Sequence, residues 1–501
     1  MILKIDGNLK PYYAQTLCMI FFPGVKFPEG EMPGAGVPEA RFTVREDETG
    51  ADASATLILD EKNETRASRC DIGDGIDAVR ARQIAAGCAF YEAASALIGI
   101  RPPWGVLTGV RPAKIASEMF RCGYSSDAAA AWISEHYLTD PVKAHLAASV
   151  AEAEHRLITP DLVRKCSVYI AIPFCPTRCA YCSFVSYTSK KLLSLIPDYL
   201  IALRENIRTV FNTVRRRGLT VSTVYIGGGT PTVLTEDQLR FLLETVAGET
   251  DVSALSEFTL EAGRPDTITE EKLRIAKEFG VTRISVNPQT LNDAILASVG
   301  RQHTAAQFFA AYDAARAVGI RHINVDLIAG LPGESTESFV STVDRITALR
   351  PDNITVHTFT VKKSAEIRQE NESVYDREGL TAGASVAYSQ KAVTEAGYLP
   401  YYMYRQKNTV GNLENVGYAL PGAEGLYNIY MMEEVHSIFA AGASAVTKFV
   451  SPPFEDGSCR IDRIFESKYP YEYLKDYEGE AGATRAARFD AAAESFYKTY
   501  F

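Results

Sequence analysis

Apolar and polar positions alternate between two regimes from Ser167 onward. Short, mostly apolar runs predict strands at Val168–Ile172, Thr223–Ile226, Phe258–Glu261, Arg283–Asn287, Ile323–Ile328 and Ile354–Phe359. Between them, apolar residues recur at helical spacing. Leu200, Leu203, Ile207, Val210, Phe211 and Val214 form one stripe; Leu239, Leu242, Leu243 and Val246 form another. Phe308, Tyr312 and Ala315 mark a third, and Phe339, Val343 and Ile346 a fourth. Thr235, followed three residues later by Gln238, reads as a capping box; Thr304 and Ser335 open further helices, and Gly319 closes one. Such strand–helix alternation implies an α/β fold with a parallel sheet. The strands read as short and mostly apolar on both faces, as expected under covering helices. Six units fall short of a closed eight-stranded barrel, so an open partial barrel and a doubly wound sheet both fit. Either architecture places chemistry at the carboxyl ends of the strands.

The flanks differ. Residues 1–160 begin with β-like runs at Met1–Ile5, Thr16–Phe22, Arg41–Arg45 and Ala55–Leu59. Helical patterns follow at Ala78–Leu97, Ala113–Arg121, Asp127–His136 and Lys143–Leu157, with Ile158–Val163 as a linker. Beyond Lys363 the alternation fades into a Tyr-rich region with helical runs at Ala382–Glu395 and Ala487–Thr499. The expected organisation is an N-terminal α+β domain (1–160) of unassigned role, an α/β unit (161–363) and a C-terminal mixed domain (364–501) covering the substrate.

Composition narrows the function. The 501 residues carry 52 Lys+Arg against 62 Asp+Glu, a net charge of −10. That balance disfavours sequence-blind nucleic-acid binding and docking on anionic lipid. No stretch approaches the roughly 20 apolar residues of a membrane span, and MILKIDGNLK lacks a signal-peptide core, so a cytoplasmic location is expected. Nine cysteines are too few for a disulfide scaffold of this length. Six are scattered (Cys18, Cys70, Cys88, Cys122, Cys166, Cys459), and most of them read as small buried hydrophobes.

The other three cluster directly after the first strand of the α/β unit, in IPFCPTRCAYCSF. Cys175, Cys179 and Cys182 have the spacing C-x3-C-x2-C. Thiolates favour iron–sulfur clusters or zinc. An ordinary cluster takes four cysteines; three leave one iron with an open position, which implies chemistry. A zinc site with a remote fourth ligand, or three structural cysteines, is the alternative. One unit later, YIGGGTPT leaves the second strand with Gly227, Gly228 and Gly229, whose lack of side chains allows close backbone approach to a ligand.

The triplet resembles the signature of the radical S-adenosylmethionine (SAM) superfamily. The resemblance implies a 4Fe-4S cluster on Cys175, Cys179 and Cys182, with SAM chelated at the open iron and cleaved to a 5′-deoxyadenosyl radical. It also implies a six-unit partial (β/α) barrel of the TIM type. A narrower resemblance, to the oxygen-independent coproporphyrinogen III oxidase family, extends over about residues 160–450. It implies SAM contacts from Tyr169, Tyr181, Gly228, Gly229, Thr230, Glu261 (in EAGRP), Gln289 (in NPQT), Arg301 and Asp326 (in INVDLIAGLPGE). WGVLTGVRPAKI (Trp104–Ile115) and YYMYRQKNTVGNLENVGYA (Tyr401–Ala419) resemble its HemZ branch, described as coproporphyrinogen dehydrogenases.

The activity so implied is oxidative decarboxylation of coproporphyrinogen III to protoporphyrinogen IX in haem biosynthesis, with a flavodoxin- or ferredoxin-type electron donor. A tetrapyrrole with four carboxylates calls for cations, for which Lys362, Lys363, Arg405 and Lys407 are candidates. Two departures matter. Phe184 stands where the best-known oxidases have a fourth cysteine, as it does in the HemW haem chaperones. The His-Asn pair of those chaperones is replaced by Gln406-Lys407-Asn408, leaving His357 and His436 as substitute haem ligands. A haem-binding chaperone and another radical SAM reaction on a tetrapyrrole are the alternative functions.

Overall fold

A computed structural model describes residues 1–28, 36–73, 75–182, 184–360, 380–406, 409–454 and 457–501. Lys362, Lys363, Lys407 and Asn408 therefore lie outside the described residues. The chain divides into two compact units. One is built mainly from Met1–His155 with Met403–Val416; the other mainly from 156–360, Ala384–Tyr402 and Gly417–Phe501.

The first unit carries a four-stranded sheet: β1 (Ile2–Asp6), β2 (Glu39–Glu46), β3 (Gly50–Leu59) and β4 (Lys62–Asp71), in that order. β1 pairs parallel with β2, and the rest is antiparallel. β4, KNETRASRCD, has no apolar run that would reveal it; it is an edge strand held by full pairing from Gly50↔Asp71 to Leu59↔Lys62. The helix Ala78–Ile98 packs across β2, β3 and β4, its many alanines allowing close approach. The strand expected at Thr16–Phe22 is instead part of a helix, Pro11–Phe21. Proline at the first helical position suits that start, and a six-residue apolar run is compatible with either period.

The second unit is organised by β5 (Lys165–Ile172), β6 (Thr220–Gly228), β7 (Glu257–Glu261), β8 (Arg283–Ser285), β9 (His322–Ala329) and β10 (Asn353–Thr358). All five ladders joining them are parallel, and their spatial order is their chain order, with no reversal. A doubly wound sheet needs a point where the strand order turns back. Its absence means the sheet is wound in one sense, as in a partial (β/α)6 barrel, with right-handed crossovers carrying the helices onto one face. The capping box at Thr235/Gln238 forms as predicted, and Thr304 opens its helix through a second box with Gln307.

Later strands extend this sheet. They are β11 (Leu399–Arg405), β12 (Glu414–Ala419), β13 (Ser437–Ala441), β14 (Val446–Val450) and β15 (Ile461–Phe465). The full order is β11-β12-β10-β9-β8-β7-β6-β5-β13-β14-β15. Among the described residues no helix is long and apolar enough to cross a membrane.

The strands are not apolar on both faces. One face holds Val168 and Ile170 (β5), Val224 and Ile226 (β6), Phe258 and Leu260 (β7), Ile284 (β8), Val325 and Leu327 (β9) and Ile354 (β10), all buried. The opposite face is polar or small, row by row. Ser167, Tyr169 and Ala171 are level with Thr223, Tyr225 and Gly227. Glu257 and Thr259 continue the rows, followed by Arg283 and Ser285, then Asn324, Asp326 and Thr355. In a (β/α) barrel an aliphatic face of this kind takes the helices and the opposite face lines the interior.

Candidate functional site

The first strand of the barrel delivers the cysteine loop. Ile172 at the end of β5 is followed by Pro173 and Phe174, and the loop turns immediately at Cys175. The glycines ending β6 are laid against this exit. Gly229 N–H donates to the Ile172 carbonyl and Thr230 N–H to that of Phe174, both at 2.8 Å. A Cβ on Gly229 would lie 2.5 Å from the Phe174 carbonyl oxygen, and one on Gly227 would lie 2.7 Å from the Tyr225 ring. Gly228 has φ +114, which disfavours any side chain. The three glycines thus form a surface with no room for side chains, directly beside the first cysteine.

Cys175 and Cys179 are buried and Cys182 half-buried. Cys175 Sγ lies 3.3 Å from Thr230 Oγ1, and Cys182 N–H donates to the Cys179 carbonyl at 3.0 Å. Burial pushes the Cys175 thiol up to about 11 and raises that of Cys182, so a metal must drive their deprotonation as it binds. Among the described residues, no three cysteine, histidine or carboxylate side chains are grouped as one metal ion requires. A 4Fe-4S cluster binds each thiolate through a separate iron.

Two buried arginines brace this loop. Arg301 Nη1 donates to the Tyr181 hydroxyl at 3.0 Å, and Nη2 to the carbonyls of Gly263 and Asn287 at 2.6 Å each. Its Nε faces His303 Nδ1 at 3.3 Å, and burial, with Arg301 beside it, lowers His303 to about 3. Arg301, expected to grip SAM, spends most of its donors on the protein. Arg264, in the EAGRP stretch, was not singled out by sequence. Its Nη1 donates to Thr177 Oγ1 at 3.0 Å and lies 3.8 Å from Cys179 Sγ.

The polar face supplies the rest. Tyr169 stands in a stack of three tyrosines: its ring centroid is 6.0 Å from Tyr225 and 6.3 Å from Tyr427, and the latter two are 4.5 Å apart. Tyr225 and Tyr427 escaped sequence reasoning; the period-two pattern of β6 was the available signal for Tyr225, and none marked Tyr427. Glu261 Oε1 accepts from Tyr225 at 2.6 Å, and Oε2 from Gly228 N–H at 3.3 Å. Burial, reinforced by Asp326 and opposed by those hydrogen bonds, lifts the Glu261 carboxyl to about 7. Asp326 accepts from Asn287 and Asn324, each at 2.7 Å. Burial acts upward on it, but His357, with Nε2 at 3.9 Å, and the hydrogen bonds hold it below the usual carboxylate range. Gln289 is buried with φ +68, and its Oε1 has no hydrogen-bond partner among the described residues.

The structure therefore brings Tyr169, Gly228, Glu261 and Asp326 to one polar interior, with Thr230 joining them to Cys175. Tyr181 and Arg301 sit behind the loop. These residues fit a cluster with SAM: clustered thiolates, a side-chain-free cradle beside them, and a buried amide oxygen awaiting a donor. Arg405, a candidate for substrate carboxylates, is used otherwise. It is buried and donates to the carbonyls of Leu107 at 2.5 Å and Asn412 at 3.1 Å, with its guanidinium 5.3 Å from the Trp104 ring. Trp104 Nε1 donates to Glu414 Oε2 at 2.6 Å, so the WGVLTGVRPAKI and YYMYRQKN…GNLENVGYA stretches meet in the first unit. His436 is also enclosed, with Nε2 2.8 Å from Ser167 Oγ, and burial lowers it to about 4.

Comparisons with known proteins identify the family. A family profile described as the radical SAM superfamily matches residues 169–346. The chain is 38% identical over 385 residues to the oxygen-independent coproporphyrinogen-III oxidase-like protein HemZ of Bacillus subtilis, covering 76% of each chain. It is 32% identical over 281 residues to the heme chaperone HemW of Lactococcus lactis, covering 56% of this chain and 69% of that one. The coproporphyrinogen III oxidase HemN of Escherichia coli shares the fold, with a TM-score of 0.50 and 24% identity over 66% of this chain and 73% of that one. The radical SAM superfamily uses a 4Fe-4S cluster and SAM, and this chain belongs to it, within the family of oxygen-independent coproporphyrinogen III oxidase-like proteins.

Proposed function

We propose that the protein catalyses the oxygen-independent, SAM-dependent oxidative decarboxylation of coproporphyrinogen III. The observation carrying this reading is the joining of the cysteine loop to the polar interior. Thr230 contacts Cys175, and Gly228 N–H, two residues earlier, donates to Glu261. Cys175, Cys179 and Cys182 hold the cluster, and Gly228, Gly229, Thr230, Glu261, Gln289 and Asp326 hold SAM, with Tyr169 beside them. Bound there, cluster and SAM supply a hydrogen-abstracting radical, the hard chemistry being theirs. The chain's own work is placement and exclusion. Glycine backbone sets the distance to the loop, Gln289 Oε1 accepts a donor, and the tyrosine stack keeps water from the reacting carbon. Two of the four substrate propionates each give up a hydrogen atom to the radical, carbon dioxide, and one electron to an acceptor, leaving a vinyl group. A low-potential donor of the flavodoxin or ferredoxin type feeds the cluster, and the protein works in the cytoplasm.

Product mass after anaerobic turnover with coproporphyrinogen III, SAM and reductant tests this reading. Two vinyl groups are expected, with release of 5′-deoxyadenosine. Release of 5′-deoxyadenosine without change in the porphyrinogen rejects the substrate and leaves another tetrapyrrole as target. The HemW likeness favours a second reading, haem carriage. With His436 enclosed, His357, whose side chain is 27% exposed, is the axial ligand that reading offers. A saturable Soret titration lost in His357→Ala supports it; an unsaturable one removes it.

A further inference from the structure

Arg264 lies in the turn that follows β7 and reaches back to the cysteine loop. It is 3% exposed. Asp266 holds it as a fork: Nε and Nη2 donate to Oδ1 and Oδ2, each at 2.9 Å. Its remaining nitrogen faces the loop, donating to Thr177 Oγ1 at 3.0 Å and lying 3.8 Å from Cys179 Sγ. Arg301 fixes the same turn through the Gly263 carbonyl. A guanidinium so anchored points a fixed N–H and a positive charge at one sulfur of the triplet.

We propose that Arg264 sets the reduction potential of the cluster by hydrogen bonding to the Cys179 thiolate. The inference rests on the assignment of Cys175, Cys179 and Cys182 as cluster ligands. Reduction adds negative charge to iron and sulfur. A donor aimed at a coordinating sulfur stabilises that added charge and raises the potential. Asp266 limits the effect, because its carboxylate offsets the charge while fixing the fork. The pair thus places a dipole, positive end toward the cluster, where an electron must arrive. Arg264 is a positioning residue acting through Cys179.

Anaerobic redox titration of the reconstituted full chain, followed by electron paramagnetic resonance, tests this. Arg264→Gln keeps a donor of similar shape but removes the charge. Its midpoint is expected to fall by at least a tenfold change in the reduction equilibrium, 59 mV for one electron. Asp266→Asn exposes the arginine's charge and is expected to move the midpoint the other way. If Arg264→Gln loads iron normally and its midpoint is unmoved, the proposal is wrong. If that variant loads no iron, Asp266→Asn decides, and an unmoved midpoint there overturns the proposal. Wild-type protein that takes up no cluster would instead refute the ligand assignment beneath it.

Discussion

Tyr225 gives its phenolic hydrogen to Glu261 across two neighbouring strands, at 2.6 Å, inside the polar face of the sheet. Tyr225 is level with Thr259, so Glu261 sits one inward-facing position further on, a diagonal cross-strand pair. The hydroxyl serves a carboxyl whose burial resists ionisation.

That resistance has a sign in stability. The Glu261 carboxyl lies at about 7 in the folded chain against 4.5 ordinarily, a penalty on the order of 3 kcal/mol for the ionised form. Below the unfolded value the group is protonated in both states and costs nothing. The penalty grows as pH rises and is complete above 7. Cluster-free Glu261→Gln is expected to melt above wild type near pH 8, with the gap closing near pH 5. Equal melting curves at both pH values would contradict the assignment.

In the proposed function the same carboxyl also faces SAM. Once ionised it attracts the SAM ammonium, so SAM affinity is expected to rise through pH 7 in wild type and stay flat in Glu261→Gln. Equilibrium dialysis of the cluster-loaded protein reads this directly.

Gly229 leaves no space for a methyl group, whose carbon would sit 2.5 Å from the Phe174 oxygen. Gly229→Ala is expected to cost about 1–3 kcal/mol and to lower iron per chain by displacing the exit toward Cys175. Urea melts and iron analysis measure the two effects separately. Unchanged values in both would show that the strand exits are looser than described.

Replacing Cys175, Cys179 or Cys182 by Ala is expected to abolish the iron–sulfur chromophore and SAM cleavage, while Cys166→Ala retains both. Chelation of iron from wild type should reproduce the triplet variants. A triplet variant with intact chromophore and cleavage would remove that cysteine from the ligand set.

Glu414 is buried with Lys143 Nζ at 2.5 Å and the Trp104 indole at 2.6 Å. Burial acts upward on its carboxyl, but Lys143 and Trp104 hold it low, so its stabilisation is present above the unfolded value and is lost as pH falls. Glu414→Gln removes the carboxylate that faces Lys143 and is expected to cost about 3–5 kcal/mol near pH 7. Chemical denaturation at that pH measures the loss.

The barrel was legible because each unit repeats one pattern: a short apolar run, a polar start signal, and an amphipathic stripe. The cysteine triplet was legible because its spacing is local. Three features were not. The strand KNETRASRCD is set by its partner, since it lies at an edge with few buried positions. Leu17–Phe22 is too short an apolar run to reveal its period, and only the preceding Pro11 favours a helix. Arg264 meets Cys179 across 85 residues of chain, so its role depends on β5 and β7 delivering their exits to one place. The polar inner face was present in the alternation of SVYIAI, EFTLE and NVDLI, but hydrophobic content alone concealed it.

That alternation makes the barrel intolerant of frameshift within a strand. Inserting one residue early in β9 would turn Asp326 toward the helices and bring Val325 or Leu327 into the interior. The carboxylate would lose its asparagine donors at the same moment that it entered hydrocarbon. A mispaired strand is therefore rejected energetically before any ligand arrives, so the binding chemistry also enforces the register of the sheet.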